Sequence, residues 1–220
     1  MPFLPSSTNG LHAIIDVDVA ARARWTPVDL ATACLDGGAR VIQLRAKTLA
    51  GAAFLELASR LHDLTLSAGG LLVVNDRADI ARLAGADGVH VGQDDLAPAA
   101  ARAIVGTDAV VGLSTHTEQQ IGRAVLEPIS YVAIGPVFGT STKATGYAAV
   151  GLEAVKLAAS LAAPRGLEVI AIGGITLGRA RDVLRAGATG VAVITDLLEG
   201  NDPEAQTRAY LSEFASRGKV

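Results

Sequence analysis

A single cysteine, Cys34, leaves no partner for an intramolecular disulfide. Aromatic residues make up only 4% of the chain, too few for an aromatic-rich β-sandwich core. No uninterrupted apolar run is long enough to span a membrane and no segment has the pattern of a signal peptide, so the expected compartment is the cytoplasm. A net charge of -3 argues against non-specific binding to nucleic acid or to an anionic membrane. Lysine is scarce as well: Lys47, Lys143, Lys156 and Lys219 stand among 19 basic residues, so each departs from a default of arginine.

What is present is aliphatic. Half of the 220 residues are hydrophobic and 24 are glycine, which suits closely packed strands and helices in one large domain. Residues 1–10 are polar and proline-bearing and read as a loose arm, with the barrel domain expected over 11–220. Apolar runs predict strands at Leu11 to Val17, Val41 to Leu44, Leu71 to Val74, Gly88 to Val91, Val110 to Leu113, Tyr131 to Ile134, Val169 to Ile172 and Val191 to Ile194. Helical spacing predicts helices at Pro27 to Leu35, Ala50 to Ala68, Ile80 to Leu83, Pro98 to Val105, Thr117 to Leu126, Leu152 to Leu161, Leu177 to Ala186 and Pro203 to Ser216. Two junctions repeat a phrase, Ala84-Gly85-Ala86-Asp87-Gly88-Val89 and Ala186-Gly187-Ala188-Thr189-Gly190-Val191, in which a helix stop feeds a buried strand. Eight short apolar strands alternating with eight helices predict a parallel sheet closed into a single (β/α)₈ TIM barrel. No glycine-rich dinucleotide fingerprint follows the first strand, which disfavours an open doubly wound sheet.

In such a barrel function belongs at the carboxyl ends of the strands. The polar residues gather there: Gln43, Arg45 and Lys47; Asn75, Asp76 and Arg77; His90 and then Gln93, Asp94 and Asp95; Ser114 and His116; and Thr195. Asp76 and Asp95 close neighbouring strands and could reach one point, enough for Mg²⁺ completed by water and substrate oxygens, although either could instead cap a helix. Arg45 and Lys47, two residues apart, point to the same side of an extended segment. Gly173-Gly174-Ile175-Thr176, with the turn at Thr195, occupies the position at which barrels recurrently bind phosphate.

The stretch Gly135 to Gly146, Gly-Pro-Val-Phe-Gly-Thr-Ser-Thr-Lys-Ala-Thr-Gly, fits no element pattern. Thr140, Ser141, Thr142 and Lys143 would make it an anion-gripping lid, with Gly139 and Gly146 free to take positive φ; a solvated linker is the alternative. The four histidines lack a metal spacing. His12 and His62 read as incidental, His90 as a hydrogen-bonded barrel residue, and His116 as either structural or functional. Ser114 has no sequence partner for a catalytic triad, and Cys34 reads as a small core residue.

Taken as a set, Gln43-Leu44-Arg45-x-Lys47, Asn75-Asp76-Arg77, Gly88-Val89-His90-Val91-Gly92-Gln93-x-Asp95, Gly112-x-Ser114-x-His116-Thr117, Gly135-Pro136-Val137-Phe138 with Thr140-x-Thr142-Lys143, and Gly173-Gly174-Ile175 resemble the thiamine phosphate synthase family. The resemblance runs in family order from about Leu11 to Ile194. It implies a transferase that joins hydroxymethylpyrimidine diphosphate to a thiazole phosphate or its carboxylated form, with Mg²⁺ as cofactor and small molecules as its only implied partners; a homo-oligomer is allowed but not indicated. It also implies that Asp76 and Asp95 hold Mg²⁺. Gln43, Arg45, Lys47, Asn75 and Lys143 would bind the pyrimidine diphosphate, and Ser114 would lie beside the pyrimidine. Thr140, Thr142, Gly174, Ile194 and Thr195 would hold the thiazole phosphate. Arg45, Lys47, Ser114 and Lys143 are the expected catalytic set. Two rivals are a thiazole tautomerase, which would lack the carboxylate and diphosphate set, and a barrel that binds thiamine phosphate without turnover. The chain departs from the family at Ile15, where threonine is frequent, and at Thr195-Asp196, where serine and a small apolar residue are usual. Asp196 is expected to turn outward, to cap the segment that follows or to pair with a nearby arginine.

Overall fold

The computed structural model describes residues 10–139 and 146–215. In chain order the elements are β1 Leu11–Asp16, α1 Val17–Arg22, α2 Pro27–Asp36, β2 Val41–Arg45, α3 Gly51–Ser67, β3 Leu71–Asn75, α4 Ala78–Leu83, β4 Gly88–Val91 and α5 Pro98–Val105. They continue with β5 Val110–Thr115, α6 Glu118–Ala124, β6 Tyr131–Ile134, α7 Gly151–Ala162, β7 Glu168–Ile172, α8 Leu177–Arg185, β8 Gly190–Val193 and α9 Pro203–Ala215. The strands pair in parallel in sequence order, and β1 returns to β8 to close the barrel. The expected TIM barrel is therefore the fold. Among the described residues no helix is long and apolar enough to cross a membrane.

Strand alternation sorts the side chains into two cores. Outward residues such as Ile42, Leu44, Leu72, Val74, Val89 and Val91 pack against Leu30, Phe54, Leu61, Ile80, Ile121 and Val155 from the surrounding helices. Inward residues Ile14, Val110, Tyr131, Ala133, Ile170 and Ala192 form the smaller core inside the barrel. The inner space is only partly apolar, since His12, Gln43 and His90 are buried as well. Buried polar groups are costly unless hydrogen-bonded, so the inner layer is where function should show.

Capping explains several boundaries. β1 ends at Asp16 because its carboxylate accepts from the Val19 amide at 3.0 Å and starts α1, a six-residue helix the apolar pattern does not disclose. Thr26 and Pro27 open α2 in the same manner, with the Asp29 amide donating to Thr26 Oγ1 at 3.1 Å. The repeated phrase has a structural meaning. Gly85 and Gly187 take positive φ as helix stops, and the residue two positions on ties down the start of the preceding strand. Asp87 Oδ2 accepts from the Leu72 amide at 2.8 Å, and Thr189 Oγ1 accepts from the Val169 amide at 2.9 Å.

Candidate active site

The ends of β2 to β8 and the loops that follow them surround a cavity of about 440 Å³ at the carboxyl rim of the barrel. From the first strands come two ion pairs. Asp16 and Arg45 are register partners on β1 and β2, and the Arg45 guanidinium donates to the Asp16 carboxylate. Asp16 is buried and Arg45 reaches the cavity wall, so the carboxylate that caps α1 also fixes the orientation of the guanidinium. Lys47 pairs with Asp76 while half of its side chain stays exposed.

Asp76 leaves β3 with φ of 66°, and its amide donates to the His90 carbonyl at 2.7 Å. Aspartate tolerates this left-handed conformation better than most side chains. The turn brings its carboxyl group close enough to Asp95 for direct interaction. Burial pushes the Asp76 carboxyl above its ordinary value, Lys47 opposes that, and Asp95 adds to it. Asp95 is itself held by the loop after β4, its Oδ2 accepting from the Gly92 amide at 2.8 Å. Arg45 and Lys47 share the cavity with Asp76, Asp94, Asp95 and Asp196, so the described charge there does not favour a polyanion by itself. A hard divalent cation between the two carboxylates would reverse that balance, and an all-oxygen donor set suits Mg²⁺. Among the described residues no cluster of three or more His, Cys, Asp or Glu gathers into a complete metal cage. Two carboxylates with water and substrate oxygens is the arrangement Mg²⁺ commonly takes.

On the opposite flank His90 bridges Ser114 and Tyr131. Its Nε2 lies 2.8 Å from Ser114 Oγ and its Nδ1 lies 2.9 Å from the Tyr131 hydroxyl. Gly112 makes this possible, since a Cβ there would stand 2.1 Å from Tyr131 Cζ and 2.6 Å from His90 Nδ1. His116 forms the next part of the wall. Thr117 caps α6 through the Gln120 amide at 3.2 Å, and the Gln120 side chain returns to accept from the His116 amide at 2.7 Å. The His116 ring then stacks on Tyr147 with centroids 4.0 Å apart and planes 15° from parallel.

The far side is backbone. Gly173 and Gly174 both have positive φ, and they lie so close to the β6 loop that a Cβ would stand 2.5 Å from Pro136 Cα or 2.6 Å from the Gly139 carbonyl. Gly174, Ile194 and Thr195 line the cavity. Asp196, expected to turn outward, is itself among the residues lining the cavity, and its carboxylate is held by protein partners other than those anticipated. Its Oδ2 accepts from the Leu177 amide at 3.0 Å, from Gln206 Nε2 at 2.9 Å and from the Tyr210 hydroxyl at 2.6 Å, so it caps α8, and among the described residues it pairs with no arginine.

Arg45, Lys47, Asn75, Asp76, Asp95 and Ser114 thus meet at one cavity. Gln43 is buried, and it is not among the residues lining the cavity; it contacts the Tyr131 phenol instead. Thr140, Thr142 and Lys143 lie outside the described residues. Of the two glycines flanking that stretch, Gly146 takes positive φ and Gly139 does not. Sequence reasoning passed over Tyr131 and Tyr147, and it read His90 as a hydrogen-bonded barrel residue without naming its partners. The inward parity of His90, Gly112 and Tyr131 was the available signal.

Fold and cavity together define a TIM barrel with a charged pocket at its carboxyl rim. The chain belongs to the thiamine monophosphate synthase family, whose model matches residues 13–197. It is 42% identical over 216 residues to the thiamine-phosphate synthase of Roseiflexus sp. (strain RS-1), covering 98% of this chain and 89% of that one. The thiamine-phosphate synthase of Roseiflexus castenholzii (strain DSM 13941 / HLO8) is 40% identical over 217 residues, covering 99% and 92%. Among solved structures, thiamine phosphate pyrophosphorylase from Pyrococcus furiosus superposes with a TM-score of 0.84 at 27% identity, covering 96% of this chain and 97% of that chain.

Proposed function

We propose that this protein joins 4-amino-2-methyl-5-hydroxymethylpyrimidine diphosphate to a thiazole phosphate, or its carboxylated form, releasing thiamine phosphate and diphosphate. The observation that carries this reading is the facing pair Asp76 and Asp95 set against Arg45 and Lys47 in one cavity. That constellation suits a diphosphate brought in with its cation. A tautomerase acting on a thiazole phosphate would have no use for it.

Asp76 and Asp95 would hold Mg²⁺, which when bound supplies positive charge to the diphosphate. Arg45, held by Asp16, would present a guanidinium to the leaving group, and Lys47, half exposed beside Asp76, would add a mobile ammonium. Asn75 and Lys143 complete the expected contacts to that half, with Ser114 beside the pyrimidine. Gly174, Ile194 and Thr195, with Thr140 and Thr142, serve the thiazole phosphate. The bond from the pyrimidine methylene to the diphosphate oxygen breaks, and its electron pair leaves with diphosphate. A thiazole nitrogen lone pair then forms the new carbon–nitrogen bond, so no base has to remove a proton from the nucleophile. Rate acceleration comes from charge placed where charge develops. The test is incubation with both substrates and Mg²⁺, scoring thiamine phosphate and diphosphate in equal amounts. Binding of both substrates without product would leave a non-catalytic binding barrel.

A further inference from the structure

Under the cavity a hydrogen-bonded chain crosses the barrel interior from Tyr131 through His90 to Ser114. Only its last two members line the cavity. Its polarity can be worked out. Tyr131 is fully buried and burial pushes its phenol well above the ordinary value, so it keeps its proton. Gln43 Oε1, buried nearby, has no hydrogen-bond partner among the described residues, so the phenol hydrogen does not go to it. Among the described residues the hydrogen-bond partner of this buried hydroxyl is His90 Nδ1 at 2.9 Å, so the phenol hydrogen goes there and is not left unpaired. A neutral imidazole that accepts at Nδ1 carries its hydrogen on Nε2, and that hydrogen goes to Ser114 Oγ at 2.8 Å. Ser114 is left with its own hydrogen directed away from His90.

We propose that Tyr131, acting through His90, fixes Ser114 as a hydrogen-bond donor into the cavity, where it meets an acceptor nitrogen of the pyrimidine, and that Tyr131 and His90 are positioning residues for that half of the reaction. The inference rests on the proposed reading of the cavity as a pyrimidine diphosphate site. Two further features support it. Gly112 keeps the intervening strand bare so that the two rings can meet, a restriction a merely space-filling core would not need. His12 stands edge-on to Tyr131, its centroid 5.1 Å away, and burial holds its pKa down to about 4, so no second imidazolium competes for the phenol oxygen.

The test has two arms. Tyr131→Phe keeps the ring and removes only the hydroxyl. It is expected to lower kcat/KM for the pyrimidine diphosphate about tenfold, as is Ser114→Ala, with KM for the thiazole phosphate moved less than twofold. In the double variant the loss should be no greater than in Ser114→Ala alone, because both remove one relay. Losses that multiply would overturn the proposal. The second arm needs no turnover and no variant of Tyr131. In ¹⁵N-labelled wild-type protein at pH 7, the His90 ring, assigned by its loss in His90→Asn, should be neutral with its hydrogen on Nε2. A ring protonated on Nδ1, or on both nitrogens, would overturn the polarity even if the enzyme is active. A wild-type protein that shows the expected tautomer and makes no thiamine phosphate would instead refute the reading of the cavity, and the pyrimidine role with it.

Discussion

The Tyr210 hydroxyl donates to the Asp196 carboxylate at 2.6 Å, which ties the last helix of the barrel to the rim of the cavity. The same oxygen holds the Leu177 amide at the start of α8 and the Gln206 side chain. Asp196 is therefore spent on structure, and the carboxylate beside the proposed thiazole phosphate site is offset by three donors.

Asp196→Ala should accordingly leave KM for thiazole phosphate within about threefold, the size of a screened field. It should lower stability by about 1–3 kcal/mol, because the buried Tyr210 hydroxyl loses its close acceptor and keeps only the Ile175 carbonyl at 3.5 Å. For a domain of this size that is a fall in Tm of roughly 2–4 °C per kcal/mol, readable by calorimetry. Asp196→Asn, which keeps an acceptor oxygen, should recover most of the loss. A tenfold fall in KM with no loss of Tm would place the carboxylate against the phosphate instead.

Activity should require a divalent metal and should be abolished by chelator. Asp95→Asn should reduce turnover on the order of 10²-fold, since a neutral amide cannot replace the carboxylate at the cation. The same variant should melt no lower than the wild type without metal, because it keeps an oxygen for the Gly92 amide and removes the repulsion from Asp76. Full activity of Asp95→Asn in chelator would remove the carboxylate pair from the reaction.

His12 gives the fold a pH dependence of known sign. Its folded pKa, lowered to about 4 by burial, lies below the unfolded value near 6.5, so the unfolded chain binds the extra proton first. Stability is full above about pH 6.5 and falls as pH drops toward about 4, by about 3 kcal/mol from this group. Urea denaturation at a series of pH values should show that slope, and His12→Leu should flatten it. An unchanged slope in the variant would show that His12 is not the group responsible.

Gly112→Ala should cost more than most single substitutions. Its Cβ would sit 2.4 Å from the Tyr131 hydroxyl, and neither Tyr131 nor His90 can withdraw without breaking their mutual bond. We expect a loss of roughly 1–3 kcal/mol from overpacking, with pyrimidine diphosphate binding weakened in whatever fraction still folds. Wild-type stability and binding in this variant would mean that the interior has slack to spare.

The barrel was legible because each apolar strand is short and several helices stop at or beside a glycine, as at Gly37, Gly69, Gly85, Gly106 and Gly187, so the period changes visibly along the chain. Strand-end polarity also disclosed Arg45, Lys47, Asp76 and Asp95, since a residue at the end of an inward row has only the rim to face. Gln43 belongs to that inward row too, but it lies two residues below Arg45, about 6–7 Å deeper, and so misses the cavity wall. How deep a residue sits depends on the register between strands, which is not written locally. For the same reason Tyr131 looked like an ordinary apolar strand start, and its bonds to His90 became visible only with β4, β5 and β6 side by side. The short helix α1 was hidden because Val17 continues the apolar run, and only the Asp16 cap breaks it.

Closure of the barrel joins Leu11 to Val191, nearly the whole length of the described chain apart. A nascent chain emerging from the ribosome would hold β1 and each successive strand as an open sheet until β8 arrives, with both margins offering unpaired backbone to any neighbouring chain. No amino-terminal fragment could bring Arg45, Ser114 and Thr195 around one space, so partial synthesis yields aggregation-prone material and no partial enzyme.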